Sequence, residues 1–362
     1  MVQTINLVLP KQSSVYSDLY NVYYDLFLGL NKLNIKARIL LTKVDERNTY
    51  PQYDNNVKIE EISLEALDEL LKDGNVYVLP DDFSLLKKIK YENLTIKNYL
   101  IWAHYFYGHR FLFKKYRDLP YRNYGVDRKY TLIEYLPIKF AYWSSKFYVS
   151  ALKGKPIVAQ SLWTLLLLER VYNLPVLGLL RIPVEASLYP LENDKESSAL
   201  IYLGSKEDTD LEALYHTLKV LKEVDKDIKF DSFGNEHLAR IVSQHYKVNY
   251  LGKLNRRELN EEYGKHLLTI SPIYNGNFEM VPIQSLLCGT PVITFIQPFM
   301  EVTGESQLIA NIEYVQEIRN KIKLWKNDIK DLRITTRKKI LEEMDNEVVA
   351  KKLVYDYLMS MF

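Results

Sequence analysis

Along most of the chain, short apolar runs alternate with longer stretches in which apolar residues recur every three or four positions. The first run, 4–9, predicts a strand, and 17–33 predicts a helix with a stripe at Leu19, Val22, Tyr23, Leu26, Phe27 and Leu30. A second strand follows at 37–41, with short buried strands at 76–79 and 99–103. In the second half, strands at 199–203, 228–233, 248–251, 267–271 and 291–295 alternate with helices near 208–223, 235–245, 256–264 and 280–287. This order predicts two parallel sheets with helices on both faces. The polar stretch 191–198 reads as the linker between them. The last sixty residues are helical and highly charged, and the run 333–347, with Arg337, Lys338, Lys339, Glu342 and Glu343, predicts a solvated helix face.

Length supports two domains, because 362 residues exceed what one hydrophobic core usually serves. A formal charge of +2 is close to balance and argues against a dedicated nucleic-acid binder, which would carry a strongly basic face. One cysteine, Cys288, excludes an intramolecular disulfide and a cysteine-based zinc cage, and suits a reducing cytoplasm. Residues 1–10 read as a strand rather than a signal peptide, and apolar runs such as 162–168 are too short to span a membrane. Abundant Lys, Glu, Ile and Tyr with few Cys, Gln and Met suit a thermophilic source.

Candidate chemistry concentrates in 267–293: a buried strand, a polar loop, a short helix, a Gly289-Thr290-Pro291 turn and a second strand. The first turn of that helix, near 278–281, would point backbone N–H groups and its positive dipole end into the loop, where a diphosphate could sit. His104 closes the strand at 99–103, and the carboxyl end of a strand is where open α/β sheets place ligands. His109 reads as a loop residue, and no third ligand sits near the two histidines at a metal-binding spacing.

The passage resembles the donor-site signature of GT-B glycosyltransferases, most closely the retaining family 4, at Pro272, Phe278, Pro282, Gly289, Pro291 and Val292. Gly276 and Gln284 stand where that family has carboxylates, and Glu279 stands at a family glycine. The resemblance continues in order. Residues 156–190, with Ser161 as a helix N-cap and Ile182-Pro183-Val184-Glu185 in a turn, are similar to the end of the family's first domain. Residues 199–204, ending in Gly204, are similar to the opening of its second. Ser205 replaces a phosphate-binding Arg, which leaves Lys206 as the nearby cation, and 248–259 resembles the strand and loop under the nucleotide base.

This resemblance implies a GT-B fold, two Rossmann-like domains facing across a cleft. Residues 1–190 would form the acceptor-side domain and 191–344 the nucleotide-sugar domain, with a helix at 345–362 crossing back. It implies transfer of a sugar from a nucleoside-diphosphate-sugar to a hydroxyl of a glycan, lipid or protein, with retention, no metal and no separate cofactor. Gly204, Lys206, Arg256 and Arg257 would surround the diphosphate, and Gln284 the ribose. Glu279 and the N–H groups of Asn277 and Phe278 would hold the donor sugar, with His104 facing the reacting centre. Many relatives carry a Gly-Gly pair after the first strand; residues 11–18 have no glycine and offer the Ser13 and Ser14 hydroxyls instead. Two alternatives are a nucleotide-sugar epimerase and a non-catalytic nucleotide- or glycan-binding scaffold. Residues 102–148 hold 16 aromatics and 9 Lys or Arg against 3 carboxylates, a composition suited to binding an acceptor or to peripheral membrane contact through 110–148.

Overall fold

Strands and helices alternate into two parallel sheets. The computed structural model describes residues 4–10, 18–43, 59–63, 74–82, 85–86, 98–104, 146–191, 195–204, 209–273, 278–295, 299–327 and 329–359. The first sheet holds β1 (Ile5–Pro10), β2 (Ala37–Lys43), β3 (Ile59–Ser63), β4 (Val76–Pro80), β5 (Tyr99–Ala103), β6 (Ile157–Ala159) and β7 (Gly178–Leu179), in the order β3-β2-β1-β4-β5-β6-β7. The second holds β8 (Glu196–Leu203), β9 (Lys229–Gly234), β10 (Val248–Tyr250), β11 (His266–Ser271), β12 (Val292–Thr294) and β13 (Ile309–Asn311), in the order β10-β9-β8-β11-β12-β13. Tyr99–Ala103, and Ile5–Pro10 with Asn6 as its one polar residue, are buried throughout, as strands covered on both faces must be.

Strand order reverses beside β1, between β2 and β4, and beside β8, between β9 and β11. Connections leave the sheet in opposite directions at such a point and open a crevice at the carboxyl ends. Each sheet therefore carries one.

Three strand boundaries differ from the pattern-based reading. β3 carries Glu60 and Glu61, which hide it from an apolar search, yet it pairs along β2 and Arg38 meets Glu60 at 2.9 Å. β13 is only three residues long. β8 starts at Glu196, inside the expected linker, because Glu196 already pairs with His266 of β11.

Helices among the described residues include α1 (Asp18–Lys32), α2 (Leu162–Leu166), α3 (Leu211–Val224), α4 (Glu236–Ser243), α5 (Arg256–Lys265), α6 (Met280–Leu287), α7 (Met300–Thr303), α8 (Val315–Trp325), α9 (Lys330–Met344) and α10 (Asn346–Lys352). On α1, Leu19, Val22, Tyr23, Leu26 and Leu30 are buried in the core. Gly29 of α1 lies so close to α10 that a methyl there would come within 2.1 Å of the Asn346 carbonyl oxygen. Backbone bonds from Val184 N–H to Met344 O (2.7 Å) and from Asn346 N–H to Val184 O (3.0 Å) seat α10.

The charged run on α9 is not simply solvated. Thr336, Ile340 and Met344 are buried. Arg337 turns inward and donates to the carbonyls of Ala186 (2.7 Å), Tyr189 and Leu287, pinning the chain between the sheets to the end of α6. A guanidinium carries five donors in a fixed fork, so it can serve several carbonyls of neighbouring turns at once, and the Ala186 carbonyl also accepts from the Tyr189 N–H at 3.3 Å.

Candidate active site

At the reversal in the second sheet, β8 ends at Leu203 and Gly204, and β11 ends at Ser271 and Pro272. The Asp210 N–H donates to the Pro272 carbonyl at 2.8 Å, drawing the start of α3 onto the β11 terminus. The space beside Gly204 is filled, since a methyl there would lie 2.7 Å from Ile273 Cδ1. Gly234 is required by its backbone: φ is +103°, and a methyl would meet the Leu203 carbonyl oxygen at 2.3 Å.

α6 follows β11, so its amino end lies at this carboxyl edge. Every residue from Met280 to Leu287 is buried, Gln284 included, and so is Phe278. Its N-cap Glu279, half-buried, makes no side-chain capping bond to the helix. Pro282 has no N–H, so Met280 and Val281 supply the donors of the first turn. The far end is fixed: Ser285 Oγ donates to Thr269 Oγ1 (2.8 Å) and the Thr290 carbonyl (3.0 Å), and Gly289 turns the chain at φ +69°.

Across from it, His104 follows β5 and is buried. Its N–H donates to Asp81 Oδ1 (2.8 Å), while Tyr148 Oη donates to Asp81 Oδ2 (2.5 Å). Gln160 Nε2 donates to the His104 carbonyl (3.0 Å), which turns Gln160 Oε1 toward Nδ1 at 3.1 Å. That bond places the ring proton on Nδ1 and leaves Nε2 as the basic nitrogen. Burial pulls the imidazole pKa down to about 3, with the Gln160 bond opposing. The rings of Trp102 and Tyr23 flank it at 4.3 Å and 5.8 Å. His104 is thus a neutral imidazole near pH 7, suited to hydrogen bonding rather than to supplying positive charge.

Among the described residues, two ion-paired contacts cross between the sheets' domains, beside the Arg337 bonds to the Ala186 and Tyr189 carbonyls. Glu301 of α7, which follows β12, accepts from the N–H groups of Leu162 (2.7 Å) and Trp163 (3.0 Å) at the start of α2, which follows β6. Ser161 caps the same helix through the Thr164 N–H at 3.0 Å. Arg181 joins Glu301 (2.6 Å) to Glu343 (3.0 Å). This contact brings the carboxyl edges of the two sheets together and defines the cleft. The second crossing is Arg256 of α5. Its guanidinium donates to both oxygens of Asp25 on α1 (2.7 and 2.6 Å) and to Tyr189 Oη (2.8 Å).

The structure brings Gly204, Phe278, Glu279 and Gln284 to one carboxyl edge and His104 to the other. Arg256 has a structural occupation, and Arg257 is exposed and pairs with Glu261 at 3.3 Å. Lys206 and Asn277 lie outside the described residues, as do Ser13, Ser14 and most of 110–148. Sequence reasoning missed Asp25, Asp81, Gln160 and Glu301. Among the described residues no group of three or more His, Cys, Asp or Glu is placed to hold a metal ion, and no helix is long and apolar enough to cross a membrane.

Residues 197–328 match the family model described as glycosyl transferases group 1. No curated protein sequence matches the chain. Among solved structures, a sucrose-phosphate synthase from Thermosynechococcus elongatus is similar with a TM-score of 0.63 at 15% identity, covering 99% of this chain and 100% of its own. An alpha-glucosyltransferase in complex with UDP and DNA gives 0.64 at 11% identity, with 98% and 99% covered. An alpha,alpha-trehalose 6-phosphate synthase from Burkholderia multivorans gives 0.63 at 9% identity, with 99% of each covered. Residues 197–328 thus resemble glycosyl transferases group 1, and the chain as a whole has the two-domain GT-B fold.

Proposed function

We propose that the protein transfers a sugar from a nucleoside-diphosphate-sugar to a hydroxyl acceptor, with retention and without a metal. The observation that carries this reading is the family match across the domain whose reversal point is flanked by Gly204 and the start of α6, opposite His104. In this reading the Met280 and Val281 amides and the helix dipole stabilise the leaving diphosphate, where fixed dipoles act most strongly on developing charge. Arg256 is held by Asp25, so the balancing cations are Lys206 and Arg257. Gln284 bonds the ribose, and Glu279 with the Asn277 and Phe278 amides holds the sugar. His104 faces the reacting centre as a neutral hydrogen-bonding group. One structural neighbour is described in complex with UDP, which supports a nucleoside diphosphate as the ligand.

The test is a thermal-shift panel of UDP, GDP, ADP and their sugars, followed by measurement of nucleoside diphosphate release with candidate acceptors. Stabilisation by one nucleotide and turnover of its sugar are expected. No stabilisation by any of them sinks the reading. The replacement of a family carboxylate by Gln284 and the engagement of Arg256 favour a second reading, a non-catalytic scaffold. Tight donor binding without release of diphosphate or sugar would select it.

A further inference from the structure

Two strands beyond the reversal point, a cavity of about 310 Å3 opens at the carboxyl ends of β12 and β13, lined by none of Gly204, Phe278, Glu279, Gln284 or His104. Thr294 and Asn311 sit in register on these neighbouring strands, so their side chains share one face, and both line the cavity. Both are more than nine-tenths buried, and Thr294 Oγ1 and Asn311 Nδ2 have no hydrogen-bond partner among the described residues. The other end of the Asn311 amide is occupied, because Oδ1 accepts from the Glu313 N–H at 3.1 Å. A buried polar atom left unpaired forfeits its full hydration, so two in one wall call for a ligand or ordered water.

The rest of the lining sets the chemistry. Lys321 Nζ meets only neutral acceptors, Gln307 Oε1 at 3.1 Å and the Ser306 carbonyl at 3.4 Å, and among the described residues no carboxylate comes within ion-pair reach. Burial lowers its pKa, with Glu317 opposing. Glu305 and Glu317 also line the cavity, so one cation faces two carboxylates. That balance disfavours phosphates and acids. It favours a neutral molecule whose groups both donate and accept: hydroxyls can donate to Glu305 and Glu317 and accept from Asn311, Thr294 and Lys321. Tyr314, 58% exposed at the same cavity, offers a ring face for an apolar C–H surface.

We propose that this cavity is a carbohydrate-binding site for one neutral hexopyranose unit, separate from the donor cleft. It rests on the lining alone and stands whether or not the chain transfers sugar. A cavity of this size is at the lower end for small-molecule sites, which suits a single ring. The test uses the full chain and saturation-transfer NMR with methyl α- and β-glucosides, galactosides and mannosides, repeated with excess UDP and with inorganic phosphate. At least one glycoside is expected to bind, to persist under excess UDP and phosphate, and to lose at least about tenfold in affinity in Tyr314→Ala and Asn311→Leu. Tyr314 is exposed, so its loss leaves folding intact and keeps the test decisive if Asn311→Leu misfolds. Absence of any glycoside signal, its displacement by UDP or phosphate, or full affinity in Tyr314→Ala overturns the proposal.

Discussion

The two ion-paired contacts that cross between the domains are built differently. Asp25 and Arg256 form a bidentate pair with side chains 2% and 13% exposed, and Tyr189 completes the guanidinium's bonding. Glu301, by contrast, spends its charge on two backbone amides and on Arg181, and the outer partner Glu343 is 47% exposed. Opening the first contact strands a charge in the protein interior. Opening the second lets water replace each partner as it leaves. The chain is therefore bound firmly along the α1, Tyr189 and α5 side and lightly along the α2 and α7 side.

The largest test breaks the firm contact. Arg256→Met should cost about 3–5 kcal/mol in urea unfolding, because Asp25 is left buried and uncompensated. Adding Asp25→Asn should recover part of that loss, and a single-variant loss below about 1 kcal/mol would mean the pair behaves like a surface bridge. Burial without domain crossing is tested at His104. Its folded pKa of about 3 lies below the unfolded value near 6.5, so below pH 6.5 the unfolded chain binds a proton that the folded chain refuses. Stability should fall as pH drops from 6.5 toward 3, at up to ~1.4 kcal/mol per unit, which is ~2 kcal/mol by pH 5. His104→Gln should flatten that window in pH-dependent urea midpoints.

Glu185, beside the firm contact, adds to acid lability in the same direction. Burial would raise its pKa, but hydrogen bonds from Lys32 and Ser187 hold it at about 2, so its contribution fades as pH falls from 4.5 through 2. The light contact should respond less: Glu301→Gln should cost about 1–2 kcal/mol, the scale of a lost charged helix cap. Its signature is faster proteolysis near α2, and an effect as large as that of Arg256→Met would erase the distinction between the contacts. At the bottom of the scale, Arg240→Ala removes an i,i+4 pair with Glu236 whose members are 76% and 59% exposed, and should shift the midpoint by no more than ~0.5 kcal/mol.

The sequence made the sheets legible because parallel strands buried on both faces are written as apolar runs, and Tyr99–Ala103 and His266–Ser271 stand out. It hid β3, where Glu60 and Glu61 interrupt the run. Single ends of the candidate site were equally visible: His104 closes a strand, and Phe278 with Gly289 brackets a helix. Their partners were not. Asp25 and Arg256 are 231 positions apart, and Glu301 reaches Leu162 across 139. No local pattern records such a meeting. The same holds for Asp81 and Gln160, which meet His104 only because β4, β5 and β6 are neighbours in the sheet.

The seat of α10 on Gly29 carries a consequence for biosynthesis. Lys32 on α1 and Asn346 on α10 are 314 positions apart and bonded at 3.1 Å, so the first domain's opening helix is synthesised long before the surface that covers it. While the second domain is still being translated, the flank of α1 that holds Gly29 stays bare, and the nascent first domain must await its own lid. A bulky side chain at Gly29 would keep that lid off, because even a methyl there would meet the Asn346 carbonyl oxygen at 2.1 Å.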